Sequence, residues 1–172
     1  MIPPAAREKC ILESKKYALT KSKERIKGRG EVFTPVELVL EILDQLPPEV
    51  WIEGKTYLDP TVGTGNFLAA VLIIKQELGH KNPLSTIYGV DIMQDNVNEC
   101  QQRLIDIAGN TPENWKIVEN NIRCKDGLEY NYSFESEDTP SEYYKKDRPP
   151  PKVKKEPPKK AEVVEDWTKI IS

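Results

Sequence analysis

Leu58-Asp59-Pro60-Thr61-Val62-Gly63-Thr64-Gly65-Asn66-Phe67 is the stretch on which the fold turns. It continues a short strand candidate, Thr56-Tyr57-Leu58, and runs into Asn66 to Leu78, an almost wholly apolar series of helix formers closed by Gly79. A helix apolar on most sides packs against a sheet instead of lying on a surface. The stretch is therefore a strand-turn-helix junction. Glycines in such a turn let the backbone approach a ligand, and free amides at the helix start favour anionic groups. A third glycine of the dinucleotide pattern would fall at position 68, where leucine stands, so pyrophosphate is disfavoured. Asp59 suits a cationic group better than a phosphate, which points to a ligand bearing an amino acid.

Downstream, Thr86 to Val90 is a second strand candidate ending at Asp91. A helix from about Asp95 to Ala108 follows, with Val97, Cys100, Leu104 and Ile107 on one stripe and Gly109 as terminator. A third strand is expected at Lys116 to Glu119 or at Ile122 to Cys124. Upstream, Phe33-Thr34-Pro35 opens a helix in which Thr34 is the expected cap, with Glu37 three residues on. Val39, Ile42, Leu43 and Leu46 form its apolar stripe, and Pro47-Pro48 stop it. Strands alternating with helices of this length predict an α/β fold built on a parallel sheet of about three strands.

The flanks differ from this body. Residues 1–30 carry 9 basic and 3 acidic side chains, residues 31–141 carry 7 and 19, and residues 142–160 carry 8 and 3. An acidic body thus lies between two basic arms. Ala5 to Ile26 favours a cationic helix, a solvated arm or a lid, ended by Gly28 and Gly30. From Ser136 the chain is charged and proline-rich, which predicts a disordered, polyproline-prone tail. The expected division is 1–29 helical arm, 30–135 domain, 136–172 tail. Such arms are usually solvated faces, and any contact they make with DNA is weak, sequence-independent and salt-sensitive.

Cys10, Cys100 and Cys124 form no CxxC pair, so neither a zinc site nor a full disulfide framework is indicated. His80, the one histidine, follows Gly79 in a polar turn. No apolar run approaches the roughly 18 residues that span a bilayer, and the start MIPPAAREKC lacks a secretory signal. The expectation is a soluble, cytoplasmic protein with reduced thiols.

The order VFTP, then LDPTVGTGNF, then YGVDI resembles the cofactor half of the adenine-N6 DNA methyltransferases, over roughly Gly30 to Phe134. The resemblance implies an incomplete Rossmann-like methyltransferase fold and S-adenosylmethionine as cofactor. It also implies roles. Phe33 and Thr34 would hold the methionine end, Asp59 would face the ammonium, and Gly63 and Gly65 would admit the ligand, within a turn that includes Pro60, Thr61, Asn66 and Phe67. Asp91 would accept from the ribose hydroxyls and Ile92 would lie against adenine. Asp126, in KDGLEY, would receive the adenine amino group, with Leu128 nearby. Each feature alone has a structural explanation: Asp91 as a helix cap or strand end, Asp126 as a turn residue, FTP as a helix start.

The same family transfers the methyl group with a tetrapeptide, Asn or Asp followed by Pro-Pro and an aromatic, which these residues lack. The nearest strings are Asp147-Arg148-Pro149-Pro150-Pro151 and Asn131-Tyr132-Ser133-Phe134. The sequence therefore predicts a subunit or fragment of a restriction-modification type methyltransferase, inactive alone, in which a partner completes catalysis. The alternative is a stand-alone cofactor-binding regulatory or decoy module. An incomplete sheet exposes an unpaired edge, so a homodimer or a protein partner is expected there.

Overall fold

The computed structural model describes residues 1–18 and 34–134. Helix α1 spans Pro4–Ala18 and α2 Val36–Asp44; a 3-10 turn at Pro48–Trp51 then leads to strand β1, Tyr57–Asp59. Helix α3, Asn66–Glu77, is followed by a 3-10 turn at Pro83–Thr86, strand β2, Ile87–Asp91, and helix α4, Gln94–Ala108. Helix α5, Pro112–Asn121, passes directly into strand β3, Ile122–Cys124. The sheet is parallel in the order β1-β2-β3. The expected α/β architecture with about three parallel strands is what the chain adopts.

The register sets the two faces of the sheet. Tyr57 pairs with Ile87 and Asp59 with Gly89, while Gly89 pairs with Ile122 and Asp91 with Cys124, so these residues share one face. Helix α3 lies on that face, because a Cβ on Gly89 would stand 2.9 Å from Leu68 Cδ1. Leu68 to Lys75 are all buried in α3, as expected of a helix enclosed on most sides. On the other face Tyr88 stacks against Phe134, with ring centroids 4.8 Å apart. Leu58, on the same face of edge strand β1, is 48% exposed. Among the described residues, no strand pairs with the outer edge of β1.

Three expectations change, and one open alternative is decided. Helix α1 is no solvated arm: Ile2, Ala6 and Cys10, spaced by four residues, are buried in the core and pack it against α3. Small residues at that spacing let two helices approach closely, while Lys15 and Lys16 remain outside. Thr34 is not the cap of α2; Pro35 occupies the cap position without a side-chain hydrogen bond. The stripe of α2 is Val39, Leu40 and Leu43, leaving Ile42 40% exposed. Residues 116–119 are helical, and the third strand is Ile122–Cys124, because Thr111 caps α5 by accepting from the Asn114 amide and Pro112 fills its first turn. Residues 19–33, with the rest of the arm and Phe33, and the tail from residue 135 lie outside the described residues.

Candidate functional site

The carboxyl ends of the three strands meet at one edge, where open α/β sheets hold ligands. After β1, Asp59 folds back on its own loop by accepting from the Thr61 amide at 3.0 Å. The Val62 amide then donates to the Val90 carbonyl at 2.9 Å and ties the turn to β2. Gly63 and Gly65 follow with φ of 53° and 87°, left-handed values that favour glycine. A Cβ on Gly63 would meet nothing within 4 Å, whereas one on Gly65 would stand 2.7 Å from Cys100 Sγ. Gly63 thus presents open backbone, and Gly65 lets α3 pack on α4. Gly65 is also the residue before α3, where no side chain caps the first turn, so that positive helix end is available to an anion.

After β2, Asp91 is buried to 9% exposure, and its carboxylate organises the edge. Oδ2 accepts from the Gly63 amide at 2.8 Å, and Oδ1 accepts from the Met93 amide at 2.8 Å and from Asn96 Nδ2 at 3.3 Å. Asn96 Oδ1, buried beside it, has no hydrogen-bond partner among the described residues. Burial pushes the Asp59 carboxyl above the usual carboxylate range; the Asp91 charge adds to this, and the Thr61 amide works against it. Ionising Asp59 therefore costs more than ionising a solvated carboxyl, and a cation facing it would offset that cost.

After β3, the Lys125 amide donates to the Asp91 carbonyl at 2.9 Å, and Cys124 Sγ donates to the Ile92 carbonyl at 3.6 Å. Asp126 then forms a tight turn, accepting from Leu128 through Oδ1 and from Glu129 and Tyr130 through its carbonyl. A Cβ on Gly127 would lie 2.6 Å from the Pro60 carbonyl oxygen, so the loop after β3 rests directly on the glycine turn.

Two hollows open at this edge. One, of about 200 Å³, is lined by Thr34, Asp59, Thr61, Val62, Gly63, Thr64, Asn66 and Phe67. The other, of about 490 Å³, includes Ile92, Met93, Val97, Cys124 and Lys125. The structure thus gathers Thr34, Asp59, Thr61, Gly63, Asn66 and Phe67 around one cavity, puts Gly65 at its helix end, and puts Ile92 on the second. Pro60 touches the Gly127 loop, and Leu128 is 97% exposed and lines neither hollow. Asp126 also lines neither, and its turn role accounts for its position.

Sequence reasoning missed Val62, which stitches the turn to β2, and Asn96, which supports Asp91. It also missed Arg103. This guanidinium is 2% exposed and donates to both Glu13 oxygens, to the Thr64 carbonyl and to Asn66 Oδ1. Asn66 in turn donates to the Thr34 carbonyl at 2.8 Å, so Thr34 enters the site through its backbone. The sole sequence hint was a cation next to Leu104 in the apolar stripe of α4, a pattern that surface residues share.

A parallel sheet with a glycine turn after its first strand and a carboxylate after its second is the framework of nucleotide-type cofactor proteins. A sequence profile of the N-6 DNA Methylase family matches residues 14–136, and this chain belongs to that family. The match begins inside α1, consistent with that helix being part of the core. The Type II methyltransferase M.VspI of Vibrio sp. (strain 343) is 31% identical over 106 residues, 62% of this chain. The matched region spans only 22% of that relative's length. No solved structure matches the chain at a significant level.

Proposed function

We propose that this chain binds S-adenosylmethionine across the carboxyl edge of its sheet as the cofactor half of a DNA adenine-N6 methyltransferase. The observation that carries the reading is open backbone at Gly63 between two carboxylates, Asp59 lining the same cavity and Asp91 bonded to the Gly63 amide. The donor set fits the ligand. Asp59 gains a favourable charge when it faces an ammonium, and the uncapped start of α3 suits the carboxylate of the same amino acid. Asp91 lines neither hollow, but after its three hydrogen bonds it keeps one lone pair on Oδ2 for a ribose hydroxyl. Ile92, on the larger hollow, offers an apolar surface for adenine. By the family resemblance, Phe33 belongs with Thr34 at the methionine end of the ligand, and Leu128 with Asp126 near its adenine. When bound, the cofactor supplies an electrophilic methyl group on a sulfonium; the chain's own residues bind it, orient it and hold its charges.

Adenine N6 is a poor nucleophile, and its activation requires acceptors and an aromatic wall that the proline-pair tetrapeptide of the family provides. That tetrapeptide is supplied by another segment or another chain, which joins at the outer edge of β1. The basic arms add weak DNA contact, within a cytoplasmic restriction-modification system. Calorimetric titration of the purified chain with S-adenosylmethionine tests the reading: one site per chain is expected, and absence of binding overturns it. Labelled methyl transfer to DNA by the same 172 residues is expected to be nil, and robust transfer would remove the need for a partner.

A further inference from the structure

Arg103 sits in α4, yet its side chain serves three other parts of the molecule. Nε and Nη2 donate to the two carboxylate oxygens of Glu13 in α1, at 2.5 and 2.6 Å. Nη1 donates to the Thr64 carbonyl at 3.3 Å and to Asn66 Oδ1 at 2.5 Å. The ring of Tyr17, also in α1, lies 4.9 Å from the guanidinium carbon. At the far end, Asn66 Nδ2 holds the Thr34 carbonyl at 2.8 Å. Thr34, Thr64 and Asn66 all line the cavity that contains Asp59.

The energetics make this a linkage. A guanidinium at 2% exposure is costly to bury unless its charge is paired and its donors are used. Glu13 supplies the charge and a fork that matches the guanidinium. If α1 lifts away, Arg103 loses its counter-ion, and water or a new geometry must replace the fork. The same side chain then has to let go of the turn carbonyl or of Asn66. Helix α1 is otherwise fastened to α3 by apolar packing, by the Cys10 Sγ bond to the Ala70 carbonyl at 3.9 Å and by the exposed Lys9–Glu77 contact, none of which reaches the turn.

We propose that the Glu13–Arg103 pair is a positioning device, through which docking of α1 fixes the glycine turn and the Thr34 backbone in the geometry that receives S-adenosylmethionine. This rests on the proposed cofactor reading. It makes α1 a regulatory point: whatever binds or displaces the N-terminal helix alters cofactor affinity.

The test compares the wild-type chain with Glu13→Gln, Arg103→Lys and, as control, Lys9→Ala, at a temperature where circular dichroism shows all four folded. Two readouts are taken: affinity for S-adenosylmethionine by calorimetry, and native-state exchange of the Val62, Gly63 and Gly65 amides relative to those of β2. Glu13→Gln is expected to weaken binding about tenfold and to speed exchange of the turn amides by a similar factor, with β2 amides unchanged. Arg103→Lys keeps the charge but loses the fork, and is expected to do more. Lys9→Ala should match wild type in both. Unchanged turn exchange or unchanged affinity in Glu13→Gln would overturn the proposal, as would equal effects in Lys9→Ala. If the wild type fails to bind S-adenosylmethionine, the cofactor reading falls, while the exchange data still decide whether α1 holds the turn. If Arg103→Lys does not fold, Glu13→Gln decides alone.

Discussion

Replacing Asp91 by asparagine removes one carboxylate oxygen from an edge that uses both. In the native site Oδ2 accepts from Gly63 and Oδ1 from Met93, each at 2.8 Å, with Asn96 Nδ2 at 3.3 Å. Asparagine turned to satisfy Met93 and Asn96 presents its NH2 to the Gly63 amide, donor against donor. The reverse orientation orphans Met93 and confronts Asn96. One charge-assisted bond, worth about 1.5–3 kcal/mol, is lost, the short one to Met93 falls to the strength of a neutral bond and the longer one to Asn96 changes little, so the total is roughly 2–4 kcal/mol. In a domain of this size that corresponds to a fall in melting temperature on the order of 10 °C. Thermal unfolding by far-ultraviolet circular dichroism without ligand measures it. A fall of less than about 2 °C would refute the assignment of Asp91 as the tie between β2 and the turn. Asp91 thus has a structural duty besides any ribose contact, and Asp59, with one loop amide bonded to it, is the cleaner site for testing ligand recognition.

Asp59→Asn keeps the Thr61 contact and removes a carboxylate whose pKa burial has raised. The sign follows: between the unfolded pKa and the raised folded one the folded carboxyl retains a proton the unfolded chain has released, so stability falls as pH rises through that window and stays lower above it. The variant should melt no lower than wild type at pH 7, yet bind S-adenosylmethionine tenfold to a hundredfold more weakly by calorimetry; a less stable variant, or one with full affinity, contradicts this. Lys75 is fully buried, with its ammonium on the Lys55 carbonyl, Thr86 Oγ1 and the Tyr57 ring, and burial pushes its pKa down to about 8 from 10.5. Between those pH values the unfolded chain keeps a proton that the folded chain gives up, so this group's contribution rises with pH. The stability of Lys75→Met relative to wild type should therefore decline from pH 7 to pH 10.5, by at most about 3 kcal/mol in urea titrations, and a constant difference would exclude it. Gly127→Ala puts a Cβ against the Pro60 carbonyl and should cost about 1–3 kcal/mol in the same assay; wild-type stability would mean that the two loops do not touch. Burial raises the pKa of all three thiols, Cys10 to about 12 and Cys124 to about 11. Disulfide reagents at pH 8 should label the native chain at least about 100-fold more slowly than the unfolded one, and comparable rates would argue against these burials.

What was legible in the sequence was local and periodic. The apolar run after Gly65, the Thr86 to Asp91 strand and the stripe Val97, Cys100 and Leu104 each carry their own signal, and so the alternation of strands and helices emerged. Helix α5 was hidden because Lys116-Ile117-Val118 reads as a strand when the Thr111-Pro112 start ahead of it goes unnoticed. The burial of α1 was masked by charge: Ala6 and Cys10 are small, and the lysines around them dominate any average. At the site, carboxylates and glycines at strand ends could be picked out because backbone position gives them meaning. Arg103 could not, since its partners at 13, 64 and 66 meet only when two helices and a turn pack together. Thr34 was noticed for its side chain, whereas the structure uses its carbonyl, held by Asn66.

An amide chemical-shift titration of the isotope-labelled chain with S-adenosylmethionine examines the proposed pocket residue by residue. The account predicts saturable shifts concentrated at Thr61 to Phe67 and at Asp91 and Ile92, with α5 and the outer surface of α2 unaffected. Shifts centred elsewhere, or none at millimolar ligand, would contradict it.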